Sequence, residues 1–435
     1  MTKKPRRASD ALLPRSPLEL AWPLHVRGPQ AEGAVILSEL PAGEAAVALR
    51  LLRLVLAFAS GAAGAAVLRR ETLEEWEAEF QATPRHPLWG PAVTVLAELA
   101  AGERADVRRI ANGCMAACEW MLERGAWQSA LLYAQAAALA WPHNPRLAWA
   151  AGRMLRNYGV MREAEHWLRR AARIAVWNGD VETQDLALNS LGNLFAQQGC
   201  YQEALRILNR ALKLAARVGK TMRAEVSHDL VLVFIAMRQY AKAEEMAIAA
   251  FRWYGADHPK LARLAFDVAL LWSEQGRFQV ALPVLQALLP VHNGSVERVL
   301  VIGAMARAAG ALGDEPTFEY AWKEAWDAVD ATPGPVRSAL PAVLAELGAG
   351  AASLRDWTRA KEAFQYALFR AEEMGEYDVI ARAEEGLASV ERHERIPPHQ
   401  RPSAQPAVQL SRAFVRILEA RASGIDPQPR GDGER

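Results

Sequence analysis

A few residue groups in this 435-residue chain have types and spacings that could do chemistry. Gly219-Lys220-Thr221 ends as a phosphate-binding loop ends, with a lysine placed for phosphate oxygens. That loop also needs a glycine at position 214 and a strand before it. Position 214 is Leu, within a helical stretch, so no nucleotide site is expected. Cys114 and Cys118 stand four apart on one helical face, a spacing suited to a metal or a redox pair. No His lies at zinc-ligand spacing from them. A free cysteine also packs as a small hydrophobe, and that is the role expected here. The nine His are scattered, and His393 and His399 only flank a Pro-rich stretch. Ser60 precedes Gly61, but Phe58 stands where a nucleophile elbow needs its first glycine. Catalytic residues, metal ligands and cofactors are therefore not assigned.

Composition points the same way. Fifty-one Lys+Arg balance fifty Asp+Glu, which removes the electrostatic footprint of a nucleic-acid binder. Arg outnumbers Lys 43 to 8 along the whole chain, the mark of a coding bias rather than of one anion site. Three Cys cannot make a disulfide framework, so a reducing, cytoplasmic setting is expected. The longest uncharged apolar run, Leu54–Leu68, is 15 residues and falls short of the ~20 that span a bilayer. A soluble chain without nucleic-acid or membrane partners is expected.

The elements that would position any site come from the organisation of the chain. Residues 1–34 are rich in Pro, Arg and Gly and read as a disordered arm. Residues 35–110 read as a helical N-terminal extension, 111–392 as repeats, and 393–406 as a Pro-rich linker. Residues 407–422 read as an amphipathic helix and 423–435 as a disordered tail.

The repeats are visible as a Gly, an aromatic two residues on, and an Ala three residues after that. Gly125-Ala-Trp127-Gln-Ser-Ala130, Gly199-Cys-Tyr201-Gln-Glu-Ala204 and Gly276-Arg-Phe278-Gln-Val-Ala281 fit fully. Looser copies end at Ala164, Ala243, Ala321 (as Pro316-Thr-Phe318-Glu-Tyr-Ala321) and Ala360. The seven anchors are spaced 34, 40, 39, 38, 40 and 39 residues apart. Twelve residues before most anchors stands a second small residue, among them Gly152, Gly192, Ala269 and Gly348. Larger apolar residues, Leu168, Leu208, Leu285 and Phe364, fill the space between small positions. Two antiparallel helices need small residues where their axes approach, and the Gly permits the left-handed turn between them. A single such hairpin cannot bury its apolar face, so the units must stack.

This pattern resembles the tetratricopeptide repeat family, over about seven units and residues 111–392. The later units are similar to the longer-repeat form found in kinesin light chains and many bacterial regulatory proteins. The resemblance implies an all-α, right-handed superhelical α-solenoid of tandem helix-turn-helix units. It further implies a non-enzymatic scaffold or adaptor that binds a protein or peptide in a concave groove. In that family, positions 2, 5, 9, 12 and 13 of each unit face the groove. Transferred to this chain, they are Arg146, Trp149, Arg153, Arg156 and Asn157 in the second unit. Asn189, Asn193 and Gln197 follow in the third unit, and His228 in the fourth. Amides suit an extended backbone, arginines suit carboxylates, and Trp149 offers an apolar anchor.

The helix at 407–422 has two readings: a cap on the last repeat, or a segment that docks in a groove. The alternative function is a peptide-sensing signalling or transcriptional regulator with an N-terminal effector region. Residues 62–80 look helical but lack the Gly-centred turn of a DNA-binding helix pair.

Overall fold

A computed structural model describes residues 37–60, 89–100, 104–292, 296–331, 339–374, 376–394 and 404–424. Residues 62–80, the arm at 1–34 and most of the Pro-rich linker and tail lie outside them. The described residues are helical, without strands. The chain divides into two compact units, Met1–Met222 and Arg223–Arg435.

The N-terminal unit opens with a short 3-10 turn (Leu37–Glu39), α1 (Ala42–Ala59) and α2 (Trp89–Ala100). Three hairpins follow: α3 (Val107–Glu123) with α4 (Trp127–Ala140), α5 (Pro145–Asn157) with α6 (Met161–Asn178), and α7 (Val181–Gln197) with α8 (Tyr201–Val218). α1 and α2 cover the first hairpin. Tyr133 donates to the Ala48 carbonyl at 2.7 Å, and Glu39 accepts from the Ser129 backbone at 3.1 Å. Cys114 and Cys118 are fully buried, and burial pushes each thiol up to about 12. They are packing residues held as inert thiols.

The C-terminal unit holds the remaining hairpins. These are α9 (Lys220–Ala236) with α10 (Tyr240–Tyr254), and α11 (Leu261–Glu274) with α12 (Phe278–Leu288). Then come α13 (Val296–Leu312) with α14 (Glu315–Ala331), and α15 (Leu340–Ser353) with α16 (Trp357–Met374). α17 (Tyr377–Glu391) and α18 (Gln405–Ala422) complete the unit. Lys220 and Thr221 form the first turn of α9, directly after α8, so no strand precedes them.

The small slots do what their spacing requires. A Cβ placed on Gly192 would lie 2.5 Å from the Leu208 side chain, and one on Gly152 would lie 2.8 Å from Leu168. Gly348 meets Phe364 in the same way. Among the described residues the turn slot is left-handed in every repeat hairpin, whatever residue fills it. It is Gly125, Gly159, Gly199, Gly276 and Gly313 in five hairpins, but Arg238 and Arg355 in two.

Two expectations need correction. In the sixth repeat the left-handed residue is Gly313 and the second helix starts at Glu315, so the anchor slot is Phe318 and not Ala321. Both residues are buried and both apolar, which hid the three-residue shift. Gly303 and Gly310 of this repeat serve helix approach. A Cβ on Gly310 would sit 2.3 Å from the Gly350 carbonyl oxygen, so α13 and α15 meet backbone to backbone.

The second correction concerns the C-terminal helix, for which a terminal cap was the first of two readings. α17 instead covers the seventh hairpin, with Gly386 seated on Phe364. α18 lies on the fourth and fifth repeats. Its Phe414 meets Phe251 edge-on at 5.0 Å, and its Ser411 hydroxyl donates to the Val280 carbonyl at 2.8 Å. Arg421 donates to the His258 carbonyl at 3.0 Å and to that of Ala256. The stripe Ala407, Leu410, Phe414, Ile417 and Leu418 is buried there.

Candidate functional site

α5 begins sharply. Asn144 accepts hydrogen bonds from the N–H groups of Arg146 and Leu147, and Pro145 occupies the first helical position. Ala148, Ala151, Gly152 and Leu155 turn into the hairpin. Helical spacing then puts Arg146, Trp149, Arg153 and Arg156 on the opposite side.

These four do not stand alike. Arg146 pairs with Glu182 of α7, which neutralises it. Trp149 is half-buried, and its indole N–H donates to the Ser190 hydroxyl at 2.9 Å. The exposed Arg153 lays its guanidinium 4.7 Å from the centre of the Trp149 ring. That contact is a cation–π stack, and Arg153 makes no ion pair among the described residues. Arg156 donates to the Ser190 carbonyl at 3.4 Å and to Asn157 Oδ1 at 3.0 Å. Asn157 is exposed.

Along α7 the exposure rises toward the turn. Asn189 is buried, Asn193 half-buried and Gln197 exposed. The structure thus brings Trp149, Arg153, Arg156 and Asn157 together beside α7.

His228 differs from the expectation of a groove-facing residue. It lies in the C-terminal unit, is buried, and bonds Asp267 Oδ2 through Nε2 at 2.8 Å. Because a carboxylate only accepts, Nε2 is the donor in that bond. Nδ1 lies 3.3 Å from the Tyr254 hydroxyl. Burial, with Glu225, Asp229 and Asp267 nearby, raises the Tyr254 pKa, so its hydroxyl stays protonated beside the imidazole. Arg263 also donates to Asp267 at 3.2 Å.

The physical reason is a seam. Trp149 and His228 hold the fifth position of their repeats, and each bonds the sixth position of the next repeat, Ser190 and Asp267 respectively. A fifth-position side chain leans onto the neighbouring first helix rather than into open space. Sequence reasoning missed Ser190, Glu182 and Asp267. The sixth position of the repeat carries small or acidic residues elsewhere in the chain too, such as Asp229 and Glu346, so it offered no distinctive signal.

The family model for the tetratricopeptide repeat matches residues 183–252. The chain carries tetratricopeptide repeats. No curated protein matches it. Among solved structures, a Rap protein complexed with competence and sporulation factor aligns over 81% of this chain and 98% of that one. Its identity is 11% and its TM-score 0.34. The P58(IPK) TPR domain covers the same shares at 13% identity and a TM-score of 0.24. No helix among the described residues is long and apolar enough to cross a membrane.

Proposed function

We propose that this tetratricopeptide-repeat chain is a non-enzymatic interaction protein. The α5–α7 face of the N-terminal unit would receive an extended, acidic segment of a partner. One observation carries this reading: Arg153 is exposed, free of carboxylates among the described residues, and placed over the Trp149 ring. A guanidinium placed over a ring keeps its fork of donors for a carboxylate. Asn157, Asn193 and Gln197 supply amides for a peptide backbone beside it.

The test is fluorescence anisotropy of labelled acidic, neutral and basic octapeptide pools with the full chain. The acidic pool is expected to bind, and Arg153→Glu should weaken it about tenfold or more, as loss of one charge-assisted contact does. Equal binding by Arg153→Glu, with an unchanged melting curve, would remove the α5–α7 face from consideration.

A further inference from the structure

The outward surface of the second helices differs along the C-terminal unit. On the fourth and fifth repeats it is covered by α18, whose Phe414 meets Phe251 of α10. Phe251 lies eight residues after its anchor Ala243, and in the corrected register Trp326 lies eight after Phe318. Trp326 therefore occupies the same slot on α14. There it meets Tyr366 of α16 at 5.7 Å, and Tyr366 meets Phe369 at 6.4 Å. Phe369 is 53% exposed.

These rings border a groove of about 870 Å³ that runs along α16 between α14 and α17. Its floor is the stripe Thr358, Lys361, Glu362, Gln365 and Phe369. At 1.5 Å per residue that stripe is about 16 Å long, room for a helix of three turns. Trp357 and His393, in edge contact at 5.3 Å, close one end. The indole N–H of Trp326 is buried without an acceptor among the described residues.

The charges name the occupant. Around this region several acids are taken by arginines: Glu319 by Arg359, Glu324 by Arg298, Glu346 by Arg307 and Arg382. Glu362 and Glu391, which line the groove, form no ion pair among the described residues. Against these two carboxylates stands one ammonium, Lys361, so the lining is net negative and strongly aromatic. Aromatic faces beside a carboxylate favour a guanidinium, which stacks and forks at once.

We propose that this groove docks an amphipathic helix of a partner protein whose apolar face carries arginine. The helix lies along α16 as α18 lies on α12. Its apolar side chains cover Tyr366 and Phe369, and its arginine reaches Glu362 and Glu391. The site is separate from the α5–α7 face and selects the opposite charge.

The experiment is panning of a display library of single helices with randomised faces against the full chain. Three variants are panned in parallel: Glu362→Gln with Glu391→Gln, Phe369→Ser, and Arg153→Glu. Arg-bearing amphipathic helices should be enriched on the wild type. Synthetic versions of them should bind about tenfold more weakly to the first two variants and unchanged to Arg153→Glu. Enrichment of neutral or acidic helices, no enrichment, or binding indifferent to both groove variants would overturn the proposal. Loss on Arg153→Glu alone would also overturn it and would assign the helices to α5–α7. Phe369→Ser is a surface change, so a retained melting curve separates lost docking from lost fold.

Discussion

Trp149 and His228 occupy the same position of their repeats and have different fates. Trp149 is half-buried, gives one hydrogen bond to a serine, and leaves a ring face for Arg153. His228 is buried and ringed by Asp267, Tyr254 and, through Asp267, Arg263. The repeat sets the direction of the side chain, toward the next first helix. The residue across the seam sets whether the result is a surface feature or a closed polar cluster. A neutral hydroxyl leaves the tryptophan partly in solvent. A carboxylate at 2% exposure needs every donor within reach, because an unpaired buried acceptor costs several kcal/mol.

That contrast can be broken at several points. The largest effect is expected from Asp267→Ala, which strands the His228 N–H inside the unit. It should lower unfolding stability by about 2–3 kcal/mol in urea titration. A loss below about 0.5 kcal/mol would mean that the cluster is not a stabilising element. Trp149→Phe removes only the indole N–H and keeps the ring. The expected cost is about 1 kcal/mol, with the Arg153 stack retained. A cost equal to that of Asp267→Ala would erase the distinction between the two seams.

The smallest effect is a pH dependence. His258 stacks on Tyr254 at 4.3 Å, and its pKa is lowered chiefly by burial, with Lys260 and Arg421 adding to the shift against Glu225. The folded chain therefore binds fewer protons here than the unfolded chain. Stability is complete above the usual histidine pKa of about 6.5 and falls as pH drops through it. Melts at about pH 7.5 and about pH 5.5 should differ less for His258→Gln than for the wild type. Identical differences would take His258 out of the cluster's energetics.

Much of the fold was legible because it follows from steric spacing. Gly152, Gly192 and Gly348 announce helix crossings at a fixed distance from their Ala anchors, and each is met by the large residue expected. The sixth repeat was illegible in its register. Ala306 and Ala309 are both small and buried, and Phe318 and Ala321 are both apolar and buried, so either alignment satisfies the pattern. The candidate site was half legible. The resemblance to the repeat family grouped Arg146, Trp149, Arg153 and Arg156 on one side of α5. It carried no information about Glu182, which neutralises Arg146, or about Ser190, which holds Trp149.

The amino-acid sequence by itself determined the hairpins, all of their turns but the sixth, and the burial of Cys114 and Cys118. All of these rest on contacts within a single hairpin, such as Gly192 against Leu208, where backbone sterics and side-chain size decide. Only the tertiary structure decided which polar side chains stay open, which are closed in a seam, and where α18 comes to rest. Those outcomes depend on partners one repeat or more away: 41 residues from Trp149 to Ser190, 39 from His228 to Asp267, and 131 from Val280 to Ser411. An amphipathic stripe states that a face will be buried, but the burial free energy is non-directional and does not say against what.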